Sequence, residues 1–258
     1  TGTALVYFSF FLVFLREGLS LNFLLLFFAF VLIFVLGLLF DIYILYITIT
    51  VLFLIYIGLS IKNIRRVVNS VILFVLSILV INGQGFVLNN VLTPKQKQRI
   101  ETLINPNIDP LGSGWNITQS KIAIGSGGLF GKGYLNGTQT GLNFVPIQST
   151  DFIFSVIGEE FGYVGSMMFI ILYLIFLYRI LILSEVQKDR FARVFGYSVF
   201  SVFLFHFTIN VSMTLGLFPV IGIPLSFISY GGSSLLSFSL LLFVFLKLNG
   251  VKSAILGR

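Results

Sequence analysis

The sequence predicts an all-α integral membrane protein, a polytopic helix bundle, from three observations. Of its 258 residues, 57% are hydrophobic and only 10% are charged, and the mean hydropathy is +1.04. Seven apolar stretches follow one another, most of them near the roughly 20 residues that cross a bilayer as a helix. Basic residues gather at every second junction between the stretches. This composition excludes an ordinary soluble domain, a disordered chain and a nucleic-acid-binding protein.

The predicted spans are helical because lipid offers no hydrogen-bond partner to free backbone groups. The first is short, and the fourth is the weakest because it carries Asn69, Asn82 and Gln84. We treat residues 1–258 as a single transmembrane domain. In chain order the spans are Thr3–Leu15, Leu19–Phe40, Ile42–Ser60, Val67–Phe86, Phe152–Tyr178, Phe195–Phe218 and Leu225–Leu246.

The basic junctions predict the orientation of the chain, since short loops rich in Lys and Arg stay in the cytoplasm. They place residue 1 on the outer side and the carboxy-terminal end in the cytoplasm. We interpret these basic side chains as topology signals at the lipid headgroups. They are Arg16, Lys62, Arg65, Arg66, Arg179, Lys188, Arg190, Arg193, Lys247, Lys252 and Arg258.

The segment 87–150 is then an extracytoplasmic loop of about 64 residues, a length typical of functional loops. Thr93–Glu101 is polar and favours a helix, and Asn105–Pro110 has the composition of a turn. Residues 111–150 mix glycine with apolar side chains. We expect this stretch to be non-helical and partly re-entrant, lining a cavity open to the outside.

Three carboxylates lie at or inside the fifth span. Thr150 is predicted to cap the helix, which places Asp151 in its first turn. There Asp151 either complements the helix dipole or, with its pKa raised by partial burial, acts as a general base. Glu159 and Glu160 lie about two turns deeper. They either serve a functional site or pair with a cation or amide on another element.

Lys121 and Lys132 flank the glycines of Gly125–Gly128. Backbone amides of glycines and lysine ammonium groups suit a phosphate or pyrophosphate, although a flexible loop with interfacial lysines has the same composition. His206 and Asn210 share one helix face and favour a hydrogen bond between helices. The chain has one His and no Cys, so a His-based or thiolate metal site and disulfides are not expected.

A run of motifs over residues 109–234 resembles the SEDS family of cell-wall polymerases, and its elongation-type members more than its division-type members. The family fold is a bundle of about ten helices, of which the chain would hold about seven. Thr1-Gly-Thr-Ala resembles the start of the fourth helix, so we expect an amino-terminally truncated sequence. The motifs are Asp109–Trp115, Gln119–Leu129, Gly131-Lys-Gly133, Gly137-Thr-Gln139, Ser149–Phe154, Glu159–Gly162, Pro224-Leu225 and Ser229–Ser234.

The resemblance implies a peptidoglycan glycosyltransferase that polymerises lipid II during cell elongation, with Asp151 as the essential general base. It implies substrate contacts from cavity-lining positions and a supporting role for Glu159 and Glu160. No protein metal ligand is predicted, although a divalent cation, Mg²⁺ or Mn²⁺, could offset charge on the leaving pyrophosphate. The residues at the cavity-lining positions are Gln119, Lys121, Ser126, Lys132, Thr138 and Gln139.

The implied partners are lipid II, a glycan on polyprenyl diphosphate, and a class B penicillin-binding protein within the elongation complex. The implied location is the bacterial plasma membrane, with the active site on the extracytoplasmic side. Where the family has Leu-Pro-Glu, and often His, before the Asp, this chain has Pro146, Ile147 and Ser149, so one acidic group is lost. Three alternatives stay open: a transporter that flips lipid-linked precursors, a division-type polymerase, and a scaffold that activates the penicillin-binding protein.

Overall fold

The structure, a computed structural model, describes residues 6–18, 20–39, 41–60, 64–110, 112–142 and 144–256. Regular structure in this part of the chain is helical throughout, with short 3₁₀ turns at Phe8–Phe10 and Pro106–Ile108 and a π turn at Val87–Val91. The α-helices are α1 (Phe11–Arg16), α2 (Leu21–Leu39), α3 (Ile42–Ser60), α4 (Ile64–Phe86), α5 (Pro94–Ile104), α6 (Ser113–Ser126), α7 (Thr138–Gly141), α8 (Ile153–Glu185), α9 (Arg190–Thr214) and α10 (Gly232–Leu256).

Five of these helices, α3, α4, α8, α9 and α10, are long and apolar enough to cross a membrane. Helix α2 is also apolar over its 19 residues. The start of the first predicted span lies outside the described residues, and its remainder forms the 3₁₀ turn and α1. The prediction of a polytopic all-α membrane protein is therefore confirmed.

Several predicted helix ends were wrong because an apolar run marks the bilayer rather than the helix. Helix α8 continues past Tyr178 to Glu185, and α9 begins at Arg190 rather than Phe195, so both helices include the charged residues at this end. Helix α10 begins at Gly232 rather than Leu225. The residues before Gly232 form turns that bind the segment in front of α8 instead of extending the helix.

The chain divides into two compact units, residues 19–97 and residues 1–18 with 98–258. The first unit holds α2, α3 and α4. Two polar side chains of α4 bind its neighbours: Gln84 Nε2 donates to the Phe34 carbonyl (2.7 Å), and Asn82 Oδ1 accepts from the Tyr46 hydroxyl (2.8 Å). Two of the three polar residues that weakened the fourth predicted span thus hydrogen-bond to the neighbouring helices of the unit.

The second unit is built around α8, α9 and α10. Its core is aromatic, with the Tyr173 ring of α8 stacked on Phe207 of α9 at 4.4 Å between centroids. At one end of the unit, Glu17 beside α1 pairs with Arg190 (3.0 Å) and Arg193 (3.6 Å) of α9. The predicted topology charges thus also join elements. The other buried core residues are Leu177, Ile180, Val199, Phe203, Leu225, Phe238 and Phe245.

The loop between α4 and α8 contains more helix than predicted. Helix α6 occupies residues 113–126, where the glycine content predicted non-helical backbone. Asp109 stabilises its start, because its carboxylate accepts from the Ser113 N–H (2.8 Å) and hydroxyl (3.1 Å). The buried face of α6 consists largely of small and polar residues, so hydropathy does not reveal it; it includes Gly114, Ile117, Ser120 and Ala123.

Candidate functional site

Asp151 lies in the turn that leads into α8. The helix begins at Ile153 after Phe152, whose side chain makes no capping hydrogen bond, so the prediction that Thr150 caps the helix was wrong. Instead, the Asp151 N–H donates to the Ile147 carbonyl at 3.1 Å, closing a tight turn. Asp151 therefore stands on irregular backbone, and its position depends on what holds that backbone.

Three successive carbonyls in front of α8 each accept a hydrogen bond from the carboxy-terminal part of the chain. The bonds run from Tyr230 N–H to Ser149 O (2.8 Å), from the Ser229 hydroxyl to Thr150 O, and from Asn210 Nδ2 to Asp151 O (2.8 Å). The donors come from α9 and from the segment 215–231 that joins α9 to α10. The backbone that carries Asp151 is thereby fixed residue by residue.

Both side-chain donors are themselves held by second bonds. The Ser229 hydroxyl accepts from the Leu225 N–H at 2.7 Å, and Asn210 Nδ2 also donates to the Ile223 carbonyl at 2.8 Å. Asn210 is fully buried and Ser229 is 8% exposed. These two side chains therefore link Asp151 to a segment more than 50 residues away in sequence.

The Asp151 carboxylate is half-buried, and burial raises the pKa of this carboxyl. A hydrogen bond from the Thr150 side chain and the charge of Arg99 on α5 act in the opposite direction on the pKa of Asp151. Gly222 lies against the carboxylate, since a Cβ at this position would be 3.1 Å from Asp151 Oδ2. A partly accessible carboxylate whose pKa is raised towards neutrality has the properties of a general base.

Glu159 forms a second cluster with Lys132. The Glu159 side chain is fully buried, and its Oε1 lies 2.7 Å from Lys132 Nζ. The same oxygen accepts from the N–H groups of Thr138 and Gln139, both at 2.9 Å. Its other oxygen accepts from the N–H and the hydroxyl of Thr140, both at 2.8 Å. Glu159 therefore binds the first turn of α7 and pairs with a lysine, one of the two roles expected for it.

Lys132 completes this cluster by donating to the hydroxyls of Ser126 (2.7 Å) and Thr138 (2.6 Å). Four residues predicted to bind substrate, Ser126, Lys132, Thr138 and Gln139, are thus gathered around Glu159. The charge of Lys132 is balanced by a buried carboxylate, so this lysine also has a role within the protein.

The loop that carries Lys132 docks on a break in α8 at Gly162, whose φ is +66°. The break leaves backbone groups of α8 without partners inside the helix, and the loop supplies them. The four bonds are Tyr163 N–H to Gly128 O (2.9 Å), Val164 N–H to Leu129 O (3.0 Å), Lys132 N–H to Glu159 O (3.0 Å) and Gly133 N–H to Glu160 O (3.0 Å).

Lys121 and Asp151 both lie along the last turns of α9. Lys121, on α6, extends across Gly216 at the carboxy-terminal end of α9, and its neighbour Ser120 donates to the Thr214 carbonyl at 2.8 Å. Asp151 is bound through its carbonyl to Asn210, six residues before Gly216. Gln119 is buried on α6, and Glu160 is buried on α8.

The sequence did not assign the partners of Asp151. It placed His206 and Asn210 on one helix face, yet His206 Nδ1 lies 2.8 Å from the Val202 carbonyl of its own helix, and only Asn210 reaches Asp151. Nothing in the sequence marked Gly222 as a site residue. Ser229 belonged to a family motif to which no function was assigned. These contacts join residues 59 and 79 positions apart, beyond any local sequence pattern.

The residues around Asp151 do not make a divalent-cation site on their own. Within the described parts of the chain, no three His, Asp or Glu side chains gather in one place. Arg99 adds positive charge, and Asn210 turns its Nδ2 donor towards the Asp151 carbonyl. A single carboxylate would have to share Mg²⁺ or Mn²⁺ with the phosphates of a substrate, so a divalent cation at this place stays a prediction.

The chain is similar in sequence to known bacterial proteins. Peptidoglycan glycosyltransferase RodA of Treponema pallidum (strain Nichols) is 50% identical over 145 residues, 56% of this chain and 34% of that protein. Peptidoglycan glycosyltransferase MrdB of Escherichia coli (strain K12) is 45% identical over 141 residues, 55% of this chain and 38% of that protein. The chain thus spans about a third of the length of these curated relatives.

The fold has a counterpart among solved structures. A chain of a peptidoglycan synthase complex, described as coordinating polymerization and crosslinking, superposes with a TM-score of 0.55 at 29% identity. The superposition covers 77% of this chain and 53% of that chain. The FtsW/RodA/SpoVE family model, described as cell cycle protein, matches residues 16–253. A match over most of the sequence, together with the helical multi-pass fold, shows that this chain belongs to the FtsW/RodA/SpoVE family, the SEDS proteins.

Proposed function

We propose that the complete protein is a peptidoglycan glycosyltransferase of the elongation type, which polymerises lipid II into glycan strands. The relatives RodA and MrdB are named as enzymes of this activity. The observation that carries the proposal is Asp151, a half-buried carboxylate with a raised pKa at the end of a membrane span.

In the proposed reaction the growing strand on polyprenyl pyrophosphate is the donor, and the 4-hydroxyl of the GlcNAc of lipid II is the acceptor. Asp151 takes the hydroxyl proton while the oxygen attacks the anomeric carbon of the donor. A new glycosidic bond forms, the bond from the anomeric carbon to the pyrophosphate oxygen breaks, and the pyrophosphate leaves with the electron pair. General-base assistance of this kind contributes roughly 10²–10⁴-fold to a rate.

Lys121 is the residue we assign to the departing pyrophosphate. Its side chain is exposed and lies against Gly216, just after the carboxy-terminal end of α9, the helix whose Asn210 binds the Asp151 carbonyl. Lys132 instead serves the reaction indirectly, because it and Glu159 hold the loop in place. Gln119, Ser126, Thr138 and Gln139 stay proposed as cavity-lining substrate contacts, and no step is assigned to a metal ion.

The setting of the reaction is part of the proposal. The site faces the extracytoplasmic side of the bacterial plasma membrane, and α8 and α9 provide walls for the polyprenyl tail. A class B penicillin-binding protein of the elongation complex docks on the protein and crosslinks the product. The similarity to a chain of a peptidoglycan synthase complex supports such a partner.

Reconstitution of the full-length protein with purified lipid II tests this function against a transporter of lipid-linked precursors. A polymerase forms glycan polymer even in detergent, where no membrane separates two compartments. A transporter moves labelled lipid II across vesicle membranes without forming polymer. Polymer in detergent supports the proposal, and lipid movement without polymer in either system contradicts it.

A further inference from the structure

We infer that Asn210, Gly222 and Ser229 are positioning residues for Asp151, and we call these three the Asp151 cradle. They touch Asp151 or the backbone beside it and leave the sugar chemistry to the carboxylate. The inference rests on the proposed function, because it assigns these residues a role through Asp151. It goes beyond that function by locating the cradle in α9 and in the segment 215–231.

Ser229 fixes the residue before Asp151. Its hydroxyl hydrogen goes to the Thr150 carbonyl, and its oxygen accepts from the Leu225 N–H at 2.7 Å. One hydroxyl thus closes a turn in its own segment and binds the turn before α8. Alanine removes both bonds, whereas threonine keeps a hydroxyl at the same place.

Asn210 fixes Asp151 itself. Both hydrogens of its amide are used, one for the Asp151 carbonyl and one for the Ile223 carbonyl, each at 2.8 Å. Its Oδ1, in contrast, is buried without a hydrogen-bond partner. A buried unpaired oxygen is unfavourable for stability, so stability alone does not account for this amide. This pattern fits a role in which the two N–H groups of the Asn210 amide hold the carbonyls of Asp151 and Ile223.

Gly222 sets the direction of the carboxylate. A Cβ at this residue would stand 3.1 Å from Asp151 Oδ2, which is closer than the neighbour tolerates without moving. The backbone of Gly222 has a φ of +78°, a region that side-chain-bearing residues rarely adopt. The Gly222→Ala variant should therefore displace the carboxylate while leaving the donors from Asn210, Ser229 and Tyr230 in the chain.

The charges that face Asp151 do not come from the cradle. Arg99 on α5 is the charged group that acts on it, and Thr150 in its own turn adds a hydroxyl. From α9 and the segment 215–231, the Asn210 amide and Gly222 reach Asp151 itself, whereas the Ser229 hydroxyl and the Tyr230 N–H bind the carbonyls of Thr150 and Ser149. Loosening the cradle therefore changes how exposed the carboxylate is without removing a charge.

The test measures lipid II polymerisation by the full-length protein across a pH series. The Ser229→Ala and Asn210→Ala variants should lose about 10- to 100-fold in rate, as expected for a base that is misplaced by about 1 Å. The acid limb of their profiles should also move to lower pH, because a more exposed carboxylate has a pKa nearer its ordinary value. Ser229→Thr should keep most of the wild-type rate and the wild-type acid limb.

Ser237→Ala is the matched control, since Ser237 is exposed on α10 and donates to the Ser233 carbonyl of its own helix. Its rate and profile should equal those of the wild type. A Ser229→Ala protein whose rate falls only in proportion to its folded fraction, with the acid limb unmoved, would show a merely structural role and overturn the inference. If Ser229→Ala and Asn210→Ala do not fold, Gly222→Ala is the deciding variant. A wild-type rate of polymerisation by Gly222→Ala overturns the inference.

Asp151→Asn separates the inference from the function on which it rests. An active Asp151→Asn protein refutes the base, and with it the proposed mechanism. An inactive Asp151→Asn protein combined with unchanged profiles in the cradle variants refutes only the positioning role. An inactive Asp151→Asn protein combined with shifted profiles supports both.

Discussion

At the scale of the residue, Asp151 joins two properties that rarely coincide. It is buried enough for its pKa to be raised, yet it lies on an irregular turn outside α8 rather than inside the bundle. An opposite charge, Arg99, acts on it without outweighing burial. The ionised form of a carboxylate held in this way is a stronger base than an exposed carboxylate, which favours proton abstraction from a substrate.

The raised pKa of Asp151 has a consequence for stability. A folded-state pKa above the unfolded value means that the ionised carboxylate disfavours folding once the pH exceeds the unfolded pKa. Asp151→Asn should therefore leave the Tm at neutral pH unchanged or higher, although activity is lost. The difference from wild type should vanish in acid, where both forms are neutral. A clearly lower Tm for Asp151→Asn at neutral pH would contradict this reading of the pKa.

Replacing Lys121 should affect catalysis, whereas replacing Lys132 should affect stability. Lys121→Ala should lower kcat roughly tenfold or more, because charge on the leaving pyrophosphate develops in the transition state. Its Tm should hardly change, since Lys121 is exposed. Lys132→Met should instead lower the Tm, because it leaves Glu159 buried without its cation. Steady-state kinetics and thermal unfolding on both variants check the separation, and a lowered Tm for Lys121→Ala with normal kcat would reverse our assignment.

At the scale of the element, the break in α8 and the loop that fills it form one unit of structure. Gly162 opens the helix, and backbone groups of residues 128–133 bind the groups that the break exposes. The Glu159–Lys132 pair sits beside this contact. At Gly127 and Gly131 a Cβ would collide with the carbonyl oxygens of Gly158 and Glu160, so these two glycines permit the close docking of the two backbones.

The Glu159–Lys132 pair should show strong coupling in a double-mutant cycle. Removing either partner of a buried, hydrogen-bonded pair costs about 3–5 kcal/mol, mainly because the other charge is left unpaired. Lys132→Met with Glu159→Gln should therefore be less destabilising than the sum of the single changes. The free energies of unfolding of the four proteins measure the coupling, and additive effects would show that the pair does not hold the loop.

The sequence predicts the membrane helices well, because apolar runs of about 20 residues seldom occur outside membrane-spanning segments. It predicts their ends poorly, since α8 and α9 continue through charged residues that hydropathy excludes. The sequence does not predict helix α6, because its buried face carries Gly114 and Ser120 and is therefore not apolar. The Asp151 position follows from a motif, but Asn210 and Ser229 become its neighbours only through the fold.

At the scale of the whole molecule, the second unit has two chemically different ends. One end holds Asp151 and its cradle, and the other holds the pairs between Glu17 and the arginines at the start of α9. Helices α8 and α9 run between them. In the proposed orientation, Asp151 lies at the extracytoplasmic face of the membrane and the basic topology signals lie at the cytoplasmic face.

Cysteine labelling tests that sidedness directly, because the sequence contains no cysteine. Tyr230→Cys, beside Asp151, should react with a membrane-impermeant maleimide added to spheroplasts whose plasma membrane is intact. Lys188→Cys, at the opposite end, should react only after the membrane is permeabilised. Both side chains are exposed, so access to the reagent decides the result. The reverse pattern would invert the proposed topology.

Asp151 is the proposed base for glycosyl transfer, and polymerisation by the Asp151→Asn protein decides whether it has this role. Purified full-length wild type and Asp151→Asn, matched for folded protein and for lipid II binding, are assayed for the length and amount of glycan polymer. A base role for Asp151 predicts normal lipid II binding and a polymerisation rate reduced by roughly 10²–10⁴-fold in Asp151→Asn. Polymerisation at the wild-type rate by a folded Asp151→Asn protein would contradict it.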